Sequence, residues 1–267
     1  MHHRPVPARS PPRKFGATLV ATNRLVTIYT MMERHDRSGG GGLAFCPVAA
    51  ELTDVDGAGV ALSTDGHGVT SLCTSGRFAH QLMELEMTLS DGPAVDVART
   101  GEVIGEADLI ATASTRWPLY VPEALAIGVR AVFGFPVRIG AVRLGALTLC
   151  RETPGELSAE QRVDAGLMAS VVARAVLAMQ AGSPDESLIE ELRGGPELDF
   201  RVHQAAGMLA VQGSTSVRDA LVALRARAYA SGTELTALAQ RVVTRQTALH
   251  PETGEWVDHA GDPTGAD

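Results

Sequence analysis

The chain contains a single lysine, Lys14, and every other fixed cation is an arginine. It has three cysteines, Cys46, Cys73 and Cys150, far apart and without a CxxC pair, so neither a zinc site nor a disulfide framework is expected. Each reads first as a small core hydrophobe, with redox sensing the lesser reading. Long apolar runs are also missing. The stretches 69–75, 131–139 and 142–150 fall well short of the roughly 20 residues that span a bilayer. Residues 1–14 carry charge and prolines but no apolar signal core, so a cytoplasmic protein without a membrane partner is expected. No GxSxG, P-loop or HExxH occurs, and the tract Gly39 to Gly42 has no Lys-Ser/Thr behind it. Asp54, Asp56 and Asp65 cluster near a turn, where carboxylates commonly serve the turn. His67 and His80 stand in no recognisable ligand spacing. A non-enzymatic protein without metal or other cofactor is the expectation.

What is present is enough for one large or two modest domains: 267 residues, 45% of them hydrophobic. The net charge of −8 argues against nucleic acid along the whole length, yet charge is unevenly spread. From Glu197 to Leu249, six arginines face four carboxylates, leaving +2 there and −10 on the remainder. Beyond residue 44, only residues 197–249 are cationic.

Residues 1–44, with prolines crowded at the start and glycines at the end, read as a mobile arm. Residues 45–182 alternate strand and helix patterns. Val60 to Ser63 and Val69 to Thr74 flank the hairpin signal Asp65-Gly66-His67-Gly68, and Phe78 to Leu89 is helical. Pro93 opens a short helix, Val103 to Gly105 makes an edge strand, and Pro122 to Gly128 a further helix. Ala131 to Ile139 and Val142 to Arg151, joined by Gly140-Ala141, must pair antiparallel. Ser158 with Gln161 caps a long helix to Gln180. The expected fold class is α+β: an antiparallel sheet of five or six strands flanked by helices, then an all-α three-helix module. Residues 183–196 read as a helical connector, 197–249 as the module and 250–267 as a disordered tail. Apolar stripes 198/202/205/209, 217/221/224/228 and 235/238/239/242 define its helices, with Ser216 and Thr233 as caps and Gly232 as a stop.

Val202 to Leu209 (VHQAAGML), Ala220 to Ala230 (ALVALRARAYA) and Leu235 to Val243 together resemble an ANTAR domain, a three-helix RNA-binding module of transcription antitermination. The upstream part is similar to GAF domains, through Asp91-Gly92-Pro93, Arg116-Trp117-Pro118, Gly128 to Pro136 (GVRAVFGFP) and Val142 to Leu147 (VRLGAL). The chain departs from both patterns. Many ANTAR domains carry lysine within an Ala-Lys-Gly triplet where Ala205-Ala206-Gly207 stands here, and related GAF domains place cysteine at the position of Ala94.

The resemblance implies a signal-responsive antitermination regulator, a homodimer that grips RNA stem-loops in nascent transcripts. It implies RNA contacts from Arg201, His203, Gln204, Arg218, Arg225, Arg227, Tyr229, Arg241 and Arg245, with Arg225 the best-aligned of them. Arginine suits the task because its planar fork grips phosphate and stacks on bases. By helical spacing Arg218 and Arg225 share one face, and Arg241 and Arg245 another. For the GAF part it implies a pocket over the sheet for an unknown small molecule, or a surface for an upstream signalling protein. Val69, Leu72, Trp117, Tyr120, Phe133 and Phe135 are the candidate lining. The alternatives are a helical module that contacts protein or DNA, and a small-molecule reductase of GAF fold.

Overall fold

A computed structural model describes residues 14–37, 43–64, 68–111, 116–180, 201–250 and 255–258, the side chains of 14–22, 36, 180 and 203 excepted. Five strands, β1 (Gly57–Thr64), β2 (Gly68–Gly76), β3 (Ile104–Glu106), β4 (Ala131–Ile139) and β5 (Val142–Arg151), form one sheet in the order β2-β1-β5-β4-β3. Every pairing in it is antiparallel. β4 and β5 pair along their whole length, Ala131 opposite Arg151 and Ile139 opposite Val142, as a two-residue connection requires. Pro136 is tolerated because β3 stops short of it, pairing only Val132 to Gly134. Gly145 is obligatory for another reason. Its backbone lies so close to β1 that a Cβ would meet the Ala61 carbonyl oxygen at 1.9 Å.

Both faces of the sheet are covered, which explains why β4 and β5 read as continuous apolar runs rather than alternating ones. One face carries α1 (Lys14–Arg37), α2 (Phe45–Thr53) and α6 (Ala159–Gln180). The other carries α3 (Ala79–Leu89), α4 (Pro93–Thr100) and α5 (Tyr120–Ala126). Local chemistry sets the ends: Ser158 and Gln161 exchange side-chain to backbone bonds of 3.1 and 2.8 Å before α6, and Pro93 opens α4.

Two expectations for this domain fail. The supposed arm contains α1, whose Ile28, Met31 and Met32 are buried and whose Arg24 pairs with Asp164 of α6. The cysteines are buried as expected, but Cys46 and Cys73 form a disulfide joining α2 to β2. Their Cα atoms stand 6.2 Å apart, within disulfide reach, a proximity created by the fold across 27 residues of sequence. Cys150 remains free and buried.

The connector at 183–196 lies outside the described residues. Beyond it α7 (Arg201–Gln212), α8 (Val217–Ser231) and α9 (Leu235–Val243) pack together through Val202, Ala205, Leu209, Leu224, Ala228, Leu235, Leu238 and Val242. Val217, expected in the second stripe, is exposed on the first turn of α8. Ser216 caps α8 by accepting the Asp219 N–H at 3.1 Å, and Gly232 ends it in the left-handed conformation. Thr233 does not cap α9; the cap position is Glu234, which makes no side-chain capping bond. The tail expected to be disordered contributes a strand: β7 (Trp256–Asp258) pairs antiparallel with β6 (Thr247–Leu249).

Candidate functional site

Helices α3 to α5 enclose a small cavity over the sheet, lined mostly by apolar residues with Glu86, Tyr120, Thr148 and Cys150 among them. Glu86 of α3 is 2% exposed and accepts the Ala94 N–H at 2.8 Å where α4 begins. Asp91 accepts the backbone N–H groups of Leu119 and Tyr120 at 3.3 and 3.4 Å, which anchors the start of α5. Asp96 of α4 accepts from Trp117 Nε1 at 3.0 Å, and Trp117 meets Tyr120 edge to face at 5.9 Å. These ties hold the Tyr120 hydroxyl, buried and without a hydrogen-bond partner, over a cavity of about 10 Å³ that it shares with Gly57, Gly59, Glu86, Thr148 and Cys150. That is room for one water.

Burial pushes the Glu86 carboxyl well above the ordinary range, Asp91 and Asp96 add to it, and the Ala94 N–H opposes it. Burial likewise pushes up the Tyr120 phenol, with Glu86 adding, and the Cys150 thiol, to about 12. A carboxyl that binds its proton more tightly when folded contributes stability below its unfolded value. That contribution is lost as pH rises through the folded value. Glu86→Gln is therefore expected to match the parent at pH 4 and to exceed its urea midpoint at pH 7. Equal midpoints at both pH values would show that Glu86 is not held protonated.

The six residues expected to line one pocket are all buried, but the sheet divides them. Val69, Trp117 and Tyr120 belong to the core on the α3 to α5 side, whereas Leu72, Phe133 and Phe135 belong to the core against α1, α2 and α6. Only Tyr120 reaches the small cavity. The larger opening near this face is a polar cleft of about 1030 Å³ edged by Asp91, Asp96, Arg99, Arg116 and Arg143. Among the described residues no cluster of His, Cys, Asp and Glu fits a metal ion; His80 instead stands 3.7 Å from Glu234.

The helical module docks on the same side of the domain, with α8 and α9 against α3. Glu84 of α3, 6% exposed, accepts from the Thr236 hydroxyl at 2.7 Å and the Thr236 N–H at 3.4 Å. It thus supplies a carboxylate to the first turn of α9, the end that favours negative charge. Burial raises the Glu84 carboxyl, while both Thr236 bonds oppose that rise. Arg225 of α8 lies over Gly68 at the start of β2, so close that a Cβ there would stand 2.8 Å from Nη2. Its Nε is buried without a hydrogen-bond partner, and burial pulls its guanidinium below the ordinary value.

The expected RNA-contact residues are consequently spread over three surroundings. Arg225 faces the first domain, and Tyr229, 59% exposed, lines a groove beside Gln81, Leu85 and Glu123. Arg227 and Arg241 meet the C-terminal hairpin: Asp258 accepts from Arg241 at 3.0 Å and lies 3.8 Å from Arg227. Arg201, Gln204, Arg218 and Arg245 are on the surface, and the His203 side chain lies outside the described residues. Arg245 does not share a helix face with Arg241, because α9 ends at Val243 and Arg245 has φ +60°. Ala206, where many ANTAR domains place lysine, is fully buried.

Glu84, Glu86, Thr236, Trp256 and Asp258 escaped the sequence reading. The one local signal for the first two was a pair of carboxylates between Met83 and Met87, inside an apolar helical stretch.

No protein-family model matches the chain, and no curated protein matches it. Solved structures do. The GAF domain of an Acinetobacter phosphoenolpyruvate-protein phosphotransferase is 15% identical, with 61% of this chain aligned to 98% of that one at a TM-score of 0.47. The GAF domain of a Coxiella burnetii phosphoenolpyruvate-protein phosphotransferase is 18% identical over the same shares, with a TM-score of 0.46. A type II free methionine-R-sulfoxide reductase from Thermoplasma acidophilum is 16% identical, covering 54% of this chain and 93% of its own, with a TM-score of 0.39.

Proposed function

We propose that the chain is a signal-responsive regulator of transcription antitermination, in which a GAF-type sensor controls RNA binding by an ANTAR-type helical module. One observation carries this reading: Arg225, the module residue best matched to an RNA contact, is desolvated against Gly68 of the first domain. An output residue held by the input domain couples the two physically. Whatever favours the undocked arrangement, a small molecule or an upstream signalling protein, exposes Arg225 and raises RNA affinity. The protein acts in the cytoplasm as a homodimer, whose two modules hold paired stem-loops with higher avidity than one.

For the reductase alternative Cys150 is a poor nucleophile, which leaves the Cys46–Cys73 pair as its candidate redox group. Among the three, Cys46 and Cys73 are joined, and Cys150 is a buried thiol whose ionisation is pushed up to about 12. The test is a gel shift at low salt with an RNA of two hairpins and duplex DNA as competitor. Preference for the RNA is expected, with the affinity reduced in Arg218→Gln and the salt slope shallower by about 1. Equal affinity for duplex DNA would sink the RNA reading.

A further inference from the structure

We propose that Arg227 and Arg241 form a nucleotide subsite of the helical module, and that the C-terminal hairpin occupies it with an internal stand-in. Trp256 takes the place of the base and Asp258 that of the phosphate. This inference rests on the RNA reading and names where one nucleotide of that RNA sits.

The geometry has the two features a nucleotide presents. The Arg227 guanidinium lies over the Trp256 ring, 5.9 Å from its centroid, as a guanidinium stacks on an unpaired base. The Asp258 carboxylate accepts from Arg241 at 3.0 Å with one oxygen and faces Arg227 at 3.8 Å with the other, as a phosphate does between two arginines. Arg227 on α8 and Arg241 on α9 are thereby focused on one anion.

The hairpin is built to reach this place. Thr247, 1% exposed, donates its hydroxyl to Asp258 at 2.8 Å, and β6 pairs Thr247 with Asp258 and Leu249 with Trp256. The Leu249 N–H is fastened to Gln212 of α7 at 3.1 Å, so β6 is a fixed part of the module, while β7 is held by three residue pairs, by the His250 N–H donating to the Glu255 carbonyl at 2.8 Å and by Trp256 packing against the core. A two-stranded ribbon this short is marginal alone. Its ion pairs are half exposed, and such pairs hold weakly and yield to salt. An RNA offering many phosphates therefore displaces Asp258, whereas an isolated anion does not. The local charge agrees: Asp258 neutralises part of the cationic density that Arg227 and Arg241 would otherwise offer to a phosphate.

The experiment uses the full chain and a fluorescein-labelled RNA of two hairpins with unpaired loops, followed by anisotropy across a salt series. Asp258→Asn is expected to tighten binding about five- to tenfold near 0.1 M salt and to steepen the salt slope by about 1, the signature of one more phosphate contact. Trp256→Leu, which keeps an apolar side chain and removes the ring, should tighten binding less. Arg227→Gln or Arg241→Gln placed on Asp258→Asn should cancel the gain, with thermal melts confirming that each variant is folded. If the parent binds RNA and both hairpin variants bind equally or more weakly, the subsite assignment is overturned and the RNA reading stands. If neither the parent nor Asp258→Asn binds RNA at any salt, both are overturned.

Discussion

Trp117→Ala is expected to lower the unfolding free energy by about 3–5 kcal/mol, measured as a fall in urea midpoint at unchanged slope. Trp117 is 1% exposed and joins three parts of the first domain. Its indole N–H reaches Asp96 of α4, its ring meets Tyr120 of α5 at 5.9 Å, and the Arg116 guanidinium lies 5.1 Å from the ring centroid. Its carbonyl also accepts the Val121 N–H at 3.0 Å. Truncation leaves a void among packed side chains and frees Tyr120 to move away from the Glu86 cavity. Asp96 keeps Arg99 and Arg116 as partners, so no charge is orphaned and the loss is one of packing. Trp117→Phe, which keeps most of the ring, should cost about 1–2 kcal/mol from the lost hydrogen bond and some volume. A loss under about 1 kcal/mol for the alanine variant would mean the domain repacks around the gap. Against a typical stability of about 5–15 kcal/mol, the expected loss threatens folding at 37 °C.

Much of the sheet was legible because strand signals are local. The apolar runs of β4 and β5 and the two-residue link between them leave no other pairing. The same holds for the caps at Ser158 and Ser216, where donor and acceptor sit three residues apart. α1 was hidden by its surroundings. Leu25, Ile28 and Met32 recur at helical spacing and pack against the sheet-covering helices, but prolines before them and glycines after them dominate the composition of 1–44. The pocket set failed for a different reason. Strand residues an odd number apart face opposite ways, so Val69 and Leu72 cannot line one cavity on the same strand. Phe133 and Phe135 share a face, yet nothing in their own sequence says which helices cover it.

The candidate RNA face was legible as a list of arginines and illegible as a surface. What each arginine touches is fixed by residues far along the chain: Gly68 for Arg225, Asp258 for Arg227 and Arg241. Glu84 shows the same limit most plainly, since Thr236 lies 152 residues away. A carboxylate midway along an apolar helix is locally unfavourable, and its compensation appears only when the second module is in place.

That compensation yields the strongest functional prediction. Glu84→Ala is expected to raise the affinity of the full chain for two-hairpin RNA by about tenfold or more, without a comparable change for duplex DNA. Two hydrogen bonds to a carboxylate, each worth about 1.5–3 kcal/mol in favourable cases, are removed from the docked arrangement only. Each 1.4 kcal/mol lost there is about tenfold in the undocked population. Removing the carboxylate also abolishes its burial cost, which returns part of the loss and keeps the expected gain near the lower end. Thr236→Val should act in the same direction, since it leaves the Glu84 carboxylate buried without its best donor. Arg225→Gln on Glu84→Ala should reverse most of the gain, because Arg225 is the cation that undocking exposes. Hydrogen exchange supplies the independent readout: amides of the first turn of α9 should exchange faster in Glu84→Ala, while those of β4 and β5 stay protected. Faster exchange with unchanged RNA affinity would separate docking from output and end the coupling model. Unchanged exchange would show that Leu85, Leu221 and their apolar neighbours hold the module without help from Glu84.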